Sequence, residues 1–229
     1  MIIGSGIIAK AFKELYTDNE SCIIFASGVS NSKETRKEAF QRENELLDKI
    51  LNLKKKIIYF STTSLSCDKK YYNPYQEHKF NIEKKLLQYN STIFRLPQII
   101  GNNQNKNNLI PYIYNCIKQG TTFDLYINFK RSLLDVYDVV RIVNAIIKSN
   151  YNIQNNRFNI INPKYYDILE IVQTFENLLK LKGDYIVSHK IDNHIPLSSD
   201  NSYLCLLKKY QINFDDNYLT KTINKYYSL

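Results

Sequence analysis

The feature that most constrains this chain is a glycine turn set between a strand and a helix at its very start. Ile2-Ile3 reads as a short strand, Gly4-Ser5-Gly6 as the turn, and Ile7, Ile8, Ala11, Phe12 and Leu15 then recur at helical spacing. Gly4-Ser5-Gly6-Ile7-Ile8-Ala9 thus has the form Gly-x-Gly-x-x-Ala. The glycines permit a tight turn and close backbone approach, and the helix N-terminus offers unpaired N–H groups to an anion such as a pyrophosphate. Downstream, apolar runs of strand length keep alternating with amphipathic stretches. Strands are expected at 22–27, 56–61 and 92–96, and helices at 33–53 and 74–89. This alternation predicts an α/β fold of Rossmann type, a parallel sheet with helices on both faces. The turn assigns Gly4, Ser5, Gly6, Ile7 and Ile8 to a dinucleotide.

A dinucleotide fold normally carries an Asp or Glu about twenty residues after this turn, at the end of the second strand, to hold the adenosine ribose. Here that region ends Ala26-Ser27-Gly28, with no acid. The chain therefore reads as lacking a strand–helix–strand unit between Leu15 and Cys22, that is, the second and third strands. The loop after Gly28 carries Ser30, Asn31, Ser32 and Lys33, which suit a phosphate. Lys33 is accordingly a cofactor candidate, and NADP(H) is expected to bind at least as well as NAD(H). The competing expectation is that Ser32 caps the following helix and the loop touches no cofactor.

The strand 56–61 delivers Ser61-Thr62-Thr63-Ser64, and Asn73-Pro74-Tyr75-Gln76-Glu77-His78-Lys79 follows on a helix. Tyr75 and Lys79 stand four apart, on one helical face. A Tyr hydroxyl can pass a proton to or from a substrate oxygen if a nearby ammonium lowers its pKa, and a Thr hydroxyl can hold the reacting oxygen. Thr62, Tyr75 and Lys79 are the catalytic candidates. With 19 tyrosines, the same spacing also occurs at Tyr114/Lys118 and Tyr126/Lys130. Only the copy at Tyr75 follows an apolar strand ending in Ser/Thr. His78 is read as a helix-surface residue.

After Gly101 the pattern changes. A polar loop is expected at 102–108, a helix at 109–119, a strand edge then helix over 133–149, a strand at 157–162 and a helix at 166–180. The remainder from Tyr185 is mixed and ends in short helices. This organises the chain as a cofactor-binding region, 1–101, and a substrate-binding lobe, 102–229, with 131–163 returning to the core.

The chain resembles the NAD-dependent epimerase/dehydratase family, the extended short-chain dehydrogenases that modify nucleotide sugars. Beside the glycine turn and the Thr62/Tyr75/Lys79 set, Phe25-Ala26-Ser27 is similar to the strand that ends under the cofactor. Phe40-Gln41-Arg42-Glu43-Asn44 resembles the next helix, where an asparagine commonly sits, and Phe94-Arg95-Leu96-Pro97 the strand that passes the nicotinamide. Asn107-Asn108-Leu109-Ile110-Pro111 resembles the substrate loop, and Arg131-Ser132-Leu133-Leu134-Asp135-Val136-Tyr137-Asp138 the segment whose arginine meets the diphosphate. Phe158-Asn159-Ile160 resembles a late strand. The resemblance implies cofactor contacts from Ala26, Ser27, Gly28, Asn44, Leu96 and Pro97, and substrate contacts from Asn107, Asn108, Leu109 and Arg131. It implies that Lys79 also binds the nicotinamide ribose. Thr62 and Tyr75 are thirteen positions apart, closer than the family usually shows.

The implied function is NAD(P)-dependent oxidoreduction or epimerisation of a nucleotide-linked sugar in surface-polysaccharide sugar biosynthesis. Reduction of a 4-keto group is favoured, because a trimmed adenosine pocket suits a cofactor exchanged at each turnover. The alternative is a non-catalytic nucleotide- or sugar-nucleotide-binding relative. A formal charge of +9 on scattered lysines suits a solvated surface or phosphorylated ligands better than nucleic acid, which favours concentrated charge. No apolar run approaches a membrane span. Cys22, Cys67, Cys116 and Cys205 lack Cys-x-x-Cys spacing, so neither disulfides nor a metal site is expected. A nucleotide-sugar partner, no nucleic acid, no membrane, a cytoplasmic location and compatibility with a homodimer complete the expectation.

Overall fold

The structure, a computed structural model, describes residues 1–15, 22–102, 105–148, 157–189, 192–193 and 195–228. Two positions of the expected 102–108 loop and the last residue of the expected 133–149 segment lie outside the described residues, as do 16–21, where the missing unit would fall. The elements run β1 (Ile2–Ile3), α1 (Ile7–Leu15), β2 (Cys22–Phe25), α2 (Lys37–Leu51), β3 (Lys56–Thr62), α3 (Pro74–Leu86), β4 (Ser91–Leu96), β5 (Gln98–Ile100), α4 (Leu109–Gln119) and β6 (Phe123–Tyr126). They continue with β7 (Lys130–Asp135), α5 (Val136–Lys148), β8 (Arg157–Asn159), β9 (Tyr165–Asp167), α6 (Ile168–Leu179), β10 (Tyr185–Ser188), α7 (Asn201–Lys209) and α8 (Tyr218–Tyr227). The chain divides into two compact units, Met1–Leu96 with Val136–Ile160, and Pro97–Asp135 with Ile161–Leu229.

The first unit is built on a five-stranded sheet in the order β1-β2-β3-β4-β8, every neighbouring pair parallel. Parallel strands buried on both faces need apolar residues at successive positions, and Ile57, Ile58, Tyr59 and Phe60 of β3 provide them. Strand alternation sends Ile57 and Tyr59 to one side, where they pack with Ile23, Phe25, Leu47, Ile50, Ile82, Leu86 and Ile93. Phe60 goes to the other side, with its ring 5.4 Å from Phe12 of α1 and 6.3 Å from Phe94. Among the described residues nothing pairs with the free edge of β1. A second and third strand would lie beyond that edge, and residues 16–21 are far too few for a strand–helix–strand unit.

Three local devices place the site. Gly4 adopts φ +131°, which an L side chain rarely takes, and a Cβ there would run into the Ala26 carbonyl. The start of α3 is fixed by a capping box, in which the Asn73 side chain accepts from the Gln76 N–H and the Gln76 side chain accepts from the Asn73 N–H. Pro74 occupies the first helical turn. Tyr75 thereby falls in the first turn, with Lys79 one turn further in.

Helix α2 begins later than its periodicity predicts. Its N-cap is Arg36, without a side-chain cap bond, and not Ser32. Glu34 explains the delay: it accepts from the Arg36 backbone and, through both oxygens, from the Arg36 guanidinium, holding 34–36 as a turn before the helix.

The second unit contains two small sheets, β5-β7-β9 and β6-β10. Strand β7 is parallel to β5 and antiparallel to β9, and β6 is parallel to β10. Its core joins Ile110, Ile113 and Ile117 of α4 to Val172 and Phe175 of α6 and to Leu219 and Ile223 of α8. Strands β5, β6, β9 and β10 escape a sequence reading because each has three or four residues, too short to display a period of two. No helix among the described residues is long and apolar enough to cross a membrane.

Candidate active site

In the first unit all strands run the same way, so the glycine turn after β1, Ala26-Ser27-Gly28 after β2, Thr62 at the end of β3 and Leu96 at the end of β4 share the carboxyl edge of one sheet. Ligands of open α/β sheets bind at that edge. The turn is shaped for an anion. A Cβ at Gly6 would meet nothing within 4 Å, Ser5 is exposed, and the first turn of α1, begun by Ile7 and Ile8, carries no acidic residue.

Thr62 and Tyr75 come together, near enough for the Thr62 side chain to bear on the Tyr75 hydroxyl. Thr62 is further held by Ser64, whose backbone N–H donates to Thr62 Oγ1 at 3.1 Å and whose hydroxyl accepts from it at 3.0 Å. The short segment between them is tied down by Gln76, which donates to the Ser64 carbonyl at 2.7 Å and to Cys67 Sγ at 3.3 Å. Thirteen positions thus suffice to return the chain from Thr62 to Tyr75.

Lys79 points into a cluster that sequence reasoning missed. Its Nζ donates to Glu43 Oε1 at 3.0 Å and to the Tyr59 hydroxyl at 2.9 Å, and the Tyr59 hydroxyl donates to Glu43 Oε1 at 2.6 Å. The other carboxylate oxygen accepts from the Val29 N–H at 2.7 Å and lies 2.9 Å from His78 Nε2. The Glu43 side chain is fully buried, that of Lys79 is 2% exposed and that of His78 is 7% exposed. His78 is therefore no surface residue; it stacks on Phe40 with ring centroids 4.6 Å apart. Burial alone would raise the Glu43 carboxyl, but the Lys79 charge and the bonds from His78, Tyr59 and Val29 outweigh it and hold the group well below the usual carboxylate range.

The sequence expectation was that Lys79 lowers Tyr75. The structure reverses the direction: burial pushes the Tyr75 hydroxyl up, the nearby Thr62 side chain opposes this in part, and the negative charge of Glu43 pushes it further up. Lys79 Nζ lies 5.9 Å from the Tyr75 ring centroid, and two of its three N–H donors go to Glu43 and Tyr59. A signal for Glu43 does exist in the sequence. Phe40, Glu43, Leu47 and Ile50 follow the helical stripe, so an acid stands at a core position of α2 and requires a buried partner.

The other candidates fall as follows. Asn44 donates to the Phe40 carbonyl of its own helix at 3.1 Å, leaving Glu43 as the α2 residue that reaches Lys79. Gly28 lies directly over the ion pair, where a Cβ would be 2.6 Å from Lys79 Nζ and 2.8 Å from Glu43 Oε1. Ser27 receives Arg42, whose guanidinium donates to its hydroxyl and carbonyl. Lys33 is exposed, and its backbone N–H donates to Asn31 Oδ1. Leu96 is buried and pairs in register with Thr62.

Pro97, Asn107, Asn108, Leu109 and Arg131 belong to the second unit. Asn108 is the N-cap residue of α4, without a side-chain cap bond, and Leu109 opens the helix. Arg131, on β7, donates to Asp192 Oδ2 at 2.6 Å and lies over the Phe129 ring. The duplicate Tyr-x-x-x-Lys spacings separate on inspection. Tyr114 and Lys118 pair on the exposed side of α4, whereas Tyr126 lies on β6 and Lys130 on β7.

Comparison with known proteins agrees with this architecture. The family model described as NAD dependent epimerase/dehydratase family matches residues 23–160. Among curated proteins none matches. Among solved structures, dTDP-glucose 4,6-dehydratase from Bacillus anthracis, in complex with NAD, superimposes with a TM-score of 0.67 at 16% identity over 96% of this chain and 76% of its own. The UDP-glucose 4-epimerase of Thermus thermophilus, also with NAD, gives 0.67 at 12% identity over 96% and 80%. RMD from Pseudomonas aeruginosa, complexed with NADPH, gives 0.65 at 16% identity over 87% and 78%. At these identities the likeness shows a shared fold.

Proposed function

Because the chain belongs to the NAD dependent epimerase/dehydratase family, we propose that it is a nicotinamide-dependent oxidoreductase acting on a nucleotide-linked sugar. The reaction proposed is reduction of a 4-keto group, within the biosynthesis of surface-polysaccharide sugars. The observation that carries this reading is the placing of Thr62 beside the buried Tyr75 at the carboxyl edge of the sheet that also bears the glycine turn.

NADP(H) or NAD(H) fits the turn in one respect that matters. Gly4, Ser5, Gly6 and the N-terminal amides of α1 at Ile7 and Ile8 would hold the diphosphate, in a place where Gly6 leaves open space. When bound, the nicotinamide supplies the hydride. Ala26, Ser27, Gly28 and Leu96 line the same edge. The ribose contact expected of Lys79 is no part of the proposal, because its ammonium is enclosed. Pro97, next to Leu96, stays with the cofactor, and Asn107, Asn108, Leu109 and Arg131 are assigned to the sugar nucleotide, Arg131 to its diphosphate.

Tyr75 is the proton donor and Thr62 holds the oxygen that receives the proton. Since burial and the Glu43 charge push the Tyr75 hydroxyl up, it keeps its proton through the neutral range. A protonated phenol is the competent form for giving a proton to a carbonyl oxygen. It is the wrong form for taking one from an alcohol, with which an epimerase or dehydratase begins. The edge of β1, unpaired among the described residues, points the same way, since a cofactor held there by few adenosine contacts would exchange readily.

The enclosed Lys79 favours one other reading, a non-catalytic nucleotide-sugar-binding protein. A single preparation separates the two. Thermal shifts with NAD(H), NADP(H) and UDP-, GDP- and dTDP-sugars identify the ligands, and loss of reduced-nicotinamide absorbance on adding a 4-keto sugar nucleotide reports reduction. Stabilisation by both ligands with turnover supports the enzyme; stabilisation without turnover supports the binder.

A further inference from the structure

We propose that Glu43 is a positioning residue that governs Tyr75 at one remove: its carboxylate engages the Lys79 ammonium and so withholds that positive charge from the phenol. This rests on the reading of Tyr75 as proton donor. Lys79 and Tyr75 have the spacing for mutual influence on α3, but the Lys79 hydrogen bonds go to Glu43 and Tyr59. Glu43 is no incidental neighbour. Its two oxygens are approached by the Val29 N–H, the Tyr59 hydroxyl, His78 Nε2 and Lys79 Nζ, at 2.6 to 3.0 Å, from a loop, a strand and a neighbouring helix. A carboxylate so satisfied cannot rotate away without leaving several buried groups unpaired. Gly28 closes the cluster from above, and any side chain there would press on both charges.

The charged and titratable groups facing this assembly are Glu43 from α2, His78 and Lys79 from α3, and Tyr59 from β3; Tyr75 itself meets Thr62, Lys79 and the field of Glu43. Glu43 neutralises Lys79, so the phenol meets a dry environment with no net cation and keeps its proton. The carboxylate thereby commits the site to proton donation. Removing its charge while keeping its shape returns an uncompensated ammonium to the side of Tyr75 and favours the phenolate.

The test follows tyrosinate absorbance on raising the pH of four proteins: wild type, Glu43→Gln, Tyr75→Phe and the double variant. Subtracting each Tyr75→Phe partner isolates the Tyr75 hydroxyl from the remaining tyrosines. In Glu43→Gln the Tyr75 midpoint is expected to fall by at least about one pH unit, a tenfold change in its acid dissociation constant. The alkaline limb of the pH–rate profile for reduction is expected to move down with it. An unmoved midpoint overturns the proposal, as does a lowered midpoint that persists without Tyr75, which would belong to Tyr59. If Glu43→Gln does not fold, Glu43→Asn, which also removes the charge and leaves the Lys79 ammonium uncompensated, is read in the same way and for the same direction. The titration needs neither cofactor nor sugar. A shifted midpoint without any turnover therefore leaves this inference standing and sinks the enzymatic reading, while turnover with an unmoved midpoint does the opposite.

Discussion

Two cations that the sequence assigns to ligands, Lys79 and Arg131, are both met by carboxylates of the chain itself, and the two meetings differ. Lys79 and Glu43 form a dry pair, with every oxygen of the acid partnered. Arg131 and Asp192 form a partly buried pair, with side chains 20% and 18% accessible, so water reaches both partners. Burial decides what each can do. A dry pair is expensive to break because the partner left behind has no water, whereas a wet pair exchanges one anion for another at little cost. Lys79 is thus committed to the architecture of the site, whereas Arg131 can exchange Asp192 for another anion, which suits the diphosphate contact proposed for it.

The comparison fails first if the dry region does not house the chemistry. Tyr75→Phe should reduce turnover by roughly the 10²- to 10⁴-fold expected of losing a general acid, with sugar-nucleotide binding little changed. Tyr114→Phe and Tyr126→Phe should be nearly silent in the same assay. Near-normal turnover in Tyr75→Phe would move the donor elsewhere.

Stability tests the inequality of the pairs directly. Lys79→Met strands a buried carboxylate and should lower unfolding free energy by about 3–5 kcal/mol, measured by urea denaturation. Removing Asp192 from its pair should change it by about 1 kcal/mol or less. Acid probes the same inequality without mutation. Glu43 has a carboxyl depressed in the folded state, so its contribution is fully present above the ordinary carboxylate value of 4.5 and is lost as pH falls below it. Wild type should lose more stability than Glu43→Gln between pH 5 and lower values, on the order of a few kcal/mol at most. Equal acid sensitivity would mean that the cluster is wetter than the structure shows.

Ligand binding sharpens the other half. Arg131→Lys should weaken sugar-nucleotide affinity about tenfold, the order expected of one charge-assisted hydrogen bond, and leave cofactor affinity alone. Equal loss of both would make Arg131 structural. The smallest effect is expected at Lys33, exposed and free of the dry cluster: Lys33→Ala should weaken NADP(H) a few-fold and NAD(H) not at all, as an exposed phosphate contact would. Unchanged NADP(H) affinity would leave the adenosine end without a contact from this loop.

Much of the first unit was legible because its strands are long, apolar and buried on both faces. Lys56–Thr62 and Ser91–Leu96 were predicted within a residue or so, and Leu109–Gln119 without error. The turn at Gly4 and the cap at Asn73-Pro74 were legible because both are written in residue types with one conformational use. What stayed hidden was pairing across distance. Residue type and spacing bring Tyr75 and Lys79 to one face, but nothing in that spacing says that an acid on another helix arrives first. His78 was misread for the same reason, since a polar residue beside a lysine looks solvated until its buried acceptor is known. The small strands of the second unit were lost because three or four residues, such as Phe123–Tyr126, carry no measurable period.

The place of Tyr75 in the first turn of α3 has a consequence of its own. A helix begins with amide hydrogens that have no carbonyl to meet, and their aligned dipoles put a partial positive charge where Tyr75 sits. That potential favours a growing negative charge on the phenol by about 0.3–1 kcal/mol, and it is made of main chain alone. Trading Lys79 to a carboxylate therefore does not strip the phenol of all electrostatic help. What remains is a weak, fixed bias set by the capping box and Pro74, which selection on side chains can screen, as the exposed Glu77 of the same turn does, but cannot delete without unwinding the helix. A donor that must give up its proton once per turnover and then recover it is well served by such a field, modest in size and permanent enough never to need assembling.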